Sequence, residues 1–139
     1  MTAEEKIKAL TQRFSVLEDW TDRYALLIDL GKSLPLLPDA EKAENLLIKD
    51  CQSRVWIKAE LKDGLVYFKA DSDAVITKGL AALLLEVFSG QSPQTILDTP
   101  LDFLEQIGLR EHLSPTRSNG LNDMIKQIKL YALAFSLKK

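Results

Sequence analysis

Cys51 is the one cysteine of this 139-residue chain, and it stands in a polar run, Asp50-Cys51-Gln52-Ser53-Arg54, just ahead of an alternating segment that begins at Val55. A thiol can act as a nucleophile, a sulfur carrier or a metal ligand, but only its thiolate is reactive. With an ordinary pKa near 8.5, about 3% is ionised at neutral pH, so useful reactivity needs a local perturbation. Lys49 and Arg54 would lower the pKa and Asp50 would raise it, which leaves the sign of the sum open. A lone cysteine is most often a small buried hydrophobe. Four polar neighbours at the start of a strand argue instead for a loop position, where functional groups concentrate.

His112 is the only histidine, so a Cys/His hydrolase would have to bring these two residues together. No glycine-rich oxyanion loop supports hydrolysis, and a histidine between Glu111 and Leu113 near a helix end reads more readily as a solvated side chain. One Cys and one His cannot supply the four ligands of a structural zinc site or the thiolates of an iron–sulfur cluster. No spaced Asp/Asn/Gly loop marks a calcium site either, so no metal is expected. Two further clusters stand out: Asp71-Ser72-Asp73, leading into Lys78-Gly79, and His112-Leu113-Ser114-Pro115-Thr116-Arg117-Ser118-Asn119-Gly120-Leu121. Each reads first as a helix start, because Ser and Asp are ordinary N-caps. Arg117 in a first turn opposes the helix dipole, which a carboxylate partner, a binding role or plain exposure would explain.

The elements that must position these residues follow from periodicity. Ile7, Leu10 and Phe14 fall at helical spacing over residues 3 to 14, and Asp19 can cap a second helix lined by Trp20, Tyr24, Leu27 and Ile28 that ends near Gly31. Pro35 and Pro38 forbid its continuation. A connector follows, with a short helical possibility at 39 to 44 and an apolar run, Asn45-Leu46-Leu47-Ile48, suited to an edge strand. Val55 to Lys62 alternates with period two, Asp63-Gly64 is a hairpin turn, and Leu65 to Ala70 returns with Tyr67 and Phe68 on opposite faces. Asp71-Ser72-Asp73 then offers caps to the most apolar helix, running to about Ser89 and expected at the centre of the core. Ser92-Pro93, Thr99-Pro100 and Ser114-Pro115 each pair a hydroxyl cap with proline at the first helical position. The last opens a long amphipathic helix whose lysines 126, 129, 138 and 139 come late, in favour of the dipole. The outline is one α+β domain over residues 1–139, helices packed on a small antiparallel sheet of about three strands.

Composition narrows the function further. A hydrophobic share of 46%, a charged share of 27% and a formal charge of -2 are those of an ordinary globular protein large enough to bury a core. No Lys/Arg block points to nucleic acid. The longest apolar run, Leu80 to Leu85, is far short of the roughly 18 residues a membrane span needs. One cysteine allows no internal disulfide, and the N-terminus carries no signal-like pattern, so a reducing cytoplasm is the expected compartment.

Taken together, Cys51-Gln52-Ser53-Arg54-Val55-Trp56, Asp71-Ser72-Asp73 through Lys78-Gly79-Leu80, and Leu113-Ser114-Pro115-Thr116-Arg117-Ser118-Asn119-Gly120-Leu121 resemble the three signature stretches of the SufE family in order and spacing. Gly31-Lys32-Ser33-Leu34-Pro35 agrees as well. The resemblance implies an α+β fold similar to the scaffold proteins of iron–sulfur assembly, with no cofactor of its own. It implies that Cys51 takes sulfur from the persulfide of a pyridoxal-phosphate cysteine desulfurase of the SufS or CsdA type, stimulates that enzyme and passes the sulfur to an assembly scaffold of the SufBCD type. It assigns Asp50, Gln52, Ser53 and Arg54 to the cysteine loop, Asp73 to holding that loop and Arg117 to the partner surface. Two positions depart from the family pattern: Asp50 replaces a glycine, and Leu46 stands where an asparagine is expected. Asp50 puts a side chain and a negative charge beside the nucleophile, which restricts the backbone and disfavours the thiolate. The alternative is a non-catalytic interaction module in which Cys51 is inert.

Overall fold

The computed structural model describes residues 2–34, 37, 40, 42, 47 and 54–137, without the side chains of residues 110 and 116. The expected short helix at 39–44, apart from Ala40 and Lys42, and residues 50–53 of the cysteine run lie outside these. Seven helices and one antiparallel hairpin are described, in the expected α+β arrangement.

Helix α1 (Ala3–Ser15) opens on a capping box, in which Thr2 Oγ1 accepts from the Glu5 amide and the Glu5 carboxylate accepts from the Thr2 amide. It buries Leu10 and Phe14. Helix α2 (Trp20–Lys32) starts at Asp19, whose carboxylate accepts from the Thr21 amide at 3.0 Å, and it buries Leu27, Leu30 and Gly31. Strands β1 (Val55–Lys62) and β2 (Leu65–Ser72) join through Asp63 and Gly64, both at positive φ (53° and 80°), the geometry of a tight type I′ turn. That turn sets the register, which runs from Lys62↔Leu65 to Val55↔Ser72. An edge strand was expected from residues 45–48. Among the described residues, Leu47 contributes a single bridge to Trp56 on the outer side of β1, and Gln91 makes a matching bridge to Val66 beyond β2.

Helix α3 (Val75–Phe88) is the centre of the core, with Leu80 through Leu85, Val87 and Phe88 all buried. It packs on α1, α2, α7 and the inner face of β2. Its start differs from expectation, because β2 extends through Ser72 and the N-cap is Ala74, with no side-chain cap. The three polar residues before it bond elsewhere, as described below.

Helix α4 (Pro93–Asp98) begins at Ser92-Pro93 as expected, and Ser92 Oγ accepts from the Thr95 amide. Thr99-Pro100, in contrast, does not open a helix: α5 (Asp102–Ile107) starts two residues later from Leu101. Thr99 instead closes α4, its hydroxyl donating to Thr95 O at 2.6 Å. After α5, Gly108 adopts a left-handed conformation (φ 83°) and leads into the short α6 (Leu109–His112). Ser114 caps the 22-residue α7 (Pro115–Ser136), which crosses α3, α4 and β1. Lys129 does not serve its own helix end. Its ammonium donates to the Ile96, Leu97 and Thr99 carbonyls, satisfying the orphan acceptors at the end of α4. Burial lowers its pKa from the ordinary lysine value, with the charge of Asp98 opposing that shift.

Candidate functional site

The two strands end together at Val55 and Ser72, and the next rung is built by a side chain. The Arg54 amide donates to Asp73 Oδ1 at 2.9 Å, while the Asp73 amide donates to Arg54 O at 3.2 Å. This reciprocal pair extends the ladder one step and fixes the backbone of the third residue after Cys51. Asp73 is therefore occupied with β1 and does not cap α3. Ser72 Oγ accepts from the Ala74 amide, so the corner between β2 and α3 is held by its own side chains.

Beside this rung lies a second carboxylate. Asp71 sits directly opposite Trp56 in the register and is only 8% exposed. Its oxygens receive Lys42 Nζ at 2.9 Å, Lys78 Nζ at 3.6 Å and the Ser72 amide at 2.8 Å. Burial by itself would raise the Asp71 pKa. The Lys42 hydrogen bond, the Ser72 amide and the charges of both lysines outweigh burial and hold the carboxyl below its ordinary value. Lys42 also places its ammonium 5.2 Å from the centre of the Trp56 ring, a cation–π contact. Two carboxylates two residues apart thus tie down both flanks of the segment containing Cys51: Asp71 holds Lys42 before it, and Asp73 holds Arg54 after it.

This corner is carried by the α2–α3 crossing. Gly79 of α3 lies so close to α2 that a Cβ there would stand 2.3 Å from Leu27 O, and a Cβ on Gly31 would stand 3.1 Å from the Gly79 amide nitrogen. Helix backbones approach this closely only where neither residue carries a side chain.

Arg54 and Asp73 are thereby brought together, while Cys51, Asp50, Gln52 and Ser53 lie outside the described residues. Arg117, in the first turn of α7, is exposed, and no hydrogen bond or ion pair joins its side chain to another group among the described residues. His112 is engaged elsewhere: its ring stacks on Trp20 with centroids 3.9 Å apart, its Nδ1 lies 3.0 Å from Gly108 O, and its carbonyl accepts from the Tyr24 hydroxyl. The sequence reading missed Lys42, Asp71 and Lys78 as members of one cluster. The signal for Asp71 was present, since a two-residue turn at Asp63-Gly64 sets it opposite Trp56. Nothing local to Lys42 marks it. Among the described residues no group of His, Cys, Asp and Glu gathers to hold a metal ion, and no helix is long and apolar enough to cross a membrane.

Comparison with known proteins agrees over nearly the whole chain. Residues 8–132 match SufE, described as an Fe-S metabolism associated domain. An uncharacterised SufE-like protein of Rhizobium meliloti is 42% identical over 122 residues, covering 84% of this chain and 86% of that protein. A second, from Synechocystis, is 36% identical over 137 residues, covering 98% and 86%. The solution structure of a hypothetical protein from Thermus thermophilus shares the fold, with a TM-score of 0.77 at 25% identity over 93% of this chain and 94% of that one. On the matched span and these identities, the chain belongs to the SufE family and has a role in iron–sulfur metabolism.

Proposed function

We propose that this protein is a sulfur acceptor, taking persulfide sulfur onto Cys51 from a pyridoxal-phosphate cysteine desulfurase and passing it to an iron–sulfur assembly scaffold. The chemistry is a displacement at sulfur. The Cys51 thiolate attacks the terminal sulfur of the desulfurase persulfide, a new S–S bond forms on Cys51, and the desulfurase cysteine departs as a thiolate. No net oxidation occurs, and the pyridoxal phosphate belongs to the partner. Relieving the desulfurase of its persulfide frees it for another turnover, so the acceptor also stimulates it.

The observation that carries this reading is the pair of flanking ties. Cys51 is the cysteine whose sequence surroundings resemble the family's sulfur-accepting segment, and in this chain Asp73 and Arg54 are joined by two hydrogen bonds while Asp71 secures Lys42. Asp50, Gln52, Ser53 and Arg54 form the cysteine loop in this reading, and Arg117 belongs to the surface that meets the desulfurase. SufS- and CsdA-type desulfurases are the candidate donors, a SufBCD-type scaffold the candidate recipient, and the cytoplasm the setting.

The test is desulfurase turnover with a SufS- or CsdA-type enzyme from the same source, with and without this protein and its Cys51→Ser variant. Mass spectrometry of Cys51 accompanies it. Stimulation that vanishes in the variant, together with one added sulfur on Cys51, is the expected result. No stimulation and no adduct, with Asp50→Gly equally silent, would leave an interaction module with an inert thiol.

A further inference from the structure

We propose that two copies of this chain pair weakly and antiparallel through the C-terminal half of α7, whose outward side carries a leucine stripe. The first half of α7 is amphipathic: Leu121, Met124, Ile125 and Ile128 are buried, while Asn119, Asn122 and Lys126 are exposed. The second half is not. Leu130-Tyr131-Ala132-Leu133-Ala134-Phe135 is apolar at every position, and a helix apolar all round is ordinarily covered all round. The fold covers one side only. Ala132 is buried and Tyr131 and Phe135 pack against the core, but Leu130, Leu133 and Leu137 stay 48%, 47% and 77% exposed.

The three leucines follow one another at spacings of three and four residues, the repeat of a coiled-coil seam, and lie opposite the buried row of Met124, Ile128 and Ala132. No charge interrupts the stripe. Residues 130–137 carry none, and Lys129 turns sideways, its ammonium donating to the Ile96, Leu97 and Thr99 carbonyls. Lys126 marks the polar end. Among the described residues no other helix carries more than one large exposed apolar side chain.

The occupant that fits this stripe is its own copy, because an uncharged leucine row is self-complementary about a two-fold axis. With the axis between Leu133 and Ala134, Leu130 of each copy meets Leu137 of the other. The two Lys126 side chains then stand about 22 Å apart along the helices, whereas a parallel pair would set them side by side and align the two helix dipoles. Area sets the strength. The three leucines expose on the order of 300 Å² in each copy, so with flanking side chains a pair buries about 800–1,000 Å², short of the roughly 1,200–2,000 Å² of a stable interface. The pairing is therefore weak and concentration-dependent. A membrane surface fits less well, since an interfacial helix sets a long apolar face against a strongly basic one, and here the side opposite the leucines is the protein core.

Sedimentation equilibrium of the full-length protein from about 5 µM to 1 mM should show a mass rising from 15.6 kDa toward twice that, with a dissociation constant of about 10 µM to 1 mM. Leu133→Glu and Leu133→Lys each set like charges at the axis and should weaken pairing by about tenfold or more. Mixing the two variants should restore it, a recovery that a folding defect would not give. Val16→Glu, the same change at an exposed apolar residue ending α1, should leave pairing within about twofold. Nitroxide labels on Lys126→Cys in a Cys51→Ser background should lie about 20–35 Å apart. A constant mass up to 1 mM, pairing unchanged in both Leu133 variants, no recovery on mixing, or labels closer than about 20 Å would each overturn the proposal. So would leucine-dependent pelleting with phosphatidylglycerol vesicles by a chain that stays monomeric.

Discussion

Gly79→Ala tests the crossing on which the site corner rests. The added methyl would stand 2.3 Å from Leu27 O, 2.7 Å from Leu27 C and 3.1 Å from Leu27 Cβ. Two of these three are backbone atoms of a helix, which cannot rotate aside as a side-chain tip would. An ordinary carbon–oxygen contact is about 3.3 Å, so the two helices must separate by about 1 Å. Gly31 faces Gly79 from α2 at similarly close range, and the crossing has no slack on that side. Two effects oppose each other. Alanine favours the helix over glycine by about 1 kcal/mol, while overpacking a close contact costs about 1–3 kcal/mol. With backbone as the obstacle the upper end applies, giving a net loss of about 2 kcal/mol. For a domain of this size that is a fall in Tm of about 8 °C. Urea unfolding followed by circular dichroism measures it directly, with Gly31→Ala as a companion expected to lose less, since its methyl would be 3.1 Å from the nearest atom. An unchanged or raised midpoint in Gly79→Ala, at unchanged m-value, would refute the claim that α2 and α3 meet on glycine.

Two further substitutions probe the carboxylates. Asp71→Asn keeps the shape but loses the charge that faces Lys42 and Lys78, and stability at neutral pH should fall by about 1.5–3 kcal/mol. Because the native Asp71 pKa is lowered, the native state binds fewer protons than the unfolded chain. The contribution is therefore fully present above the ordinary carboxylate value of about 3.9, and it disappears as pH falls through the lowered native pKa. Chemical unfolding of both proteins across acidic pH should show the gap closing in that direction, and a constant gap would contradict the ion-pair account. Asp73→Ala removes the acceptor for the Arg54 amide, an exposed bond worth about 0.5–1.5 kcal/mol. Hydrogen exchange at Arg54 should accelerate by about tenfold, and an unchanged exchange rate would show that Asp73 does not hold it.

The chain itself shows where local rules met no competitor. Apolar periodicity placed α1, α2, α3 and α7, Asp19, Ser92 and Ser114 acted as the caps their types suggest, and Asp63-Gly64 turned the hairpin. These readings held because the signals act through bonds within a few residues. Thr99-Pro100 carries the same signal as Ser92-Pro93 and yet closes α4, because the Thr99 hydroxyl and carbonyl bond back to Thr95 and across to Lys129. Asp71 and Asp73 look alike as cap residues, but strand pairing carried β2 past Ala70, turning one to the lysines and the other to Arg54.

The sequence by itself determined the family and the α+β class, since motif order, periodicity and turn chemistry are all written along the chain. Only the tertiary structure decided which residues meet at the corner. Lys42 lies 29 positions from Asp71, and Gly79 lies 52 from Leu27, and no local preference couples residues that far apart.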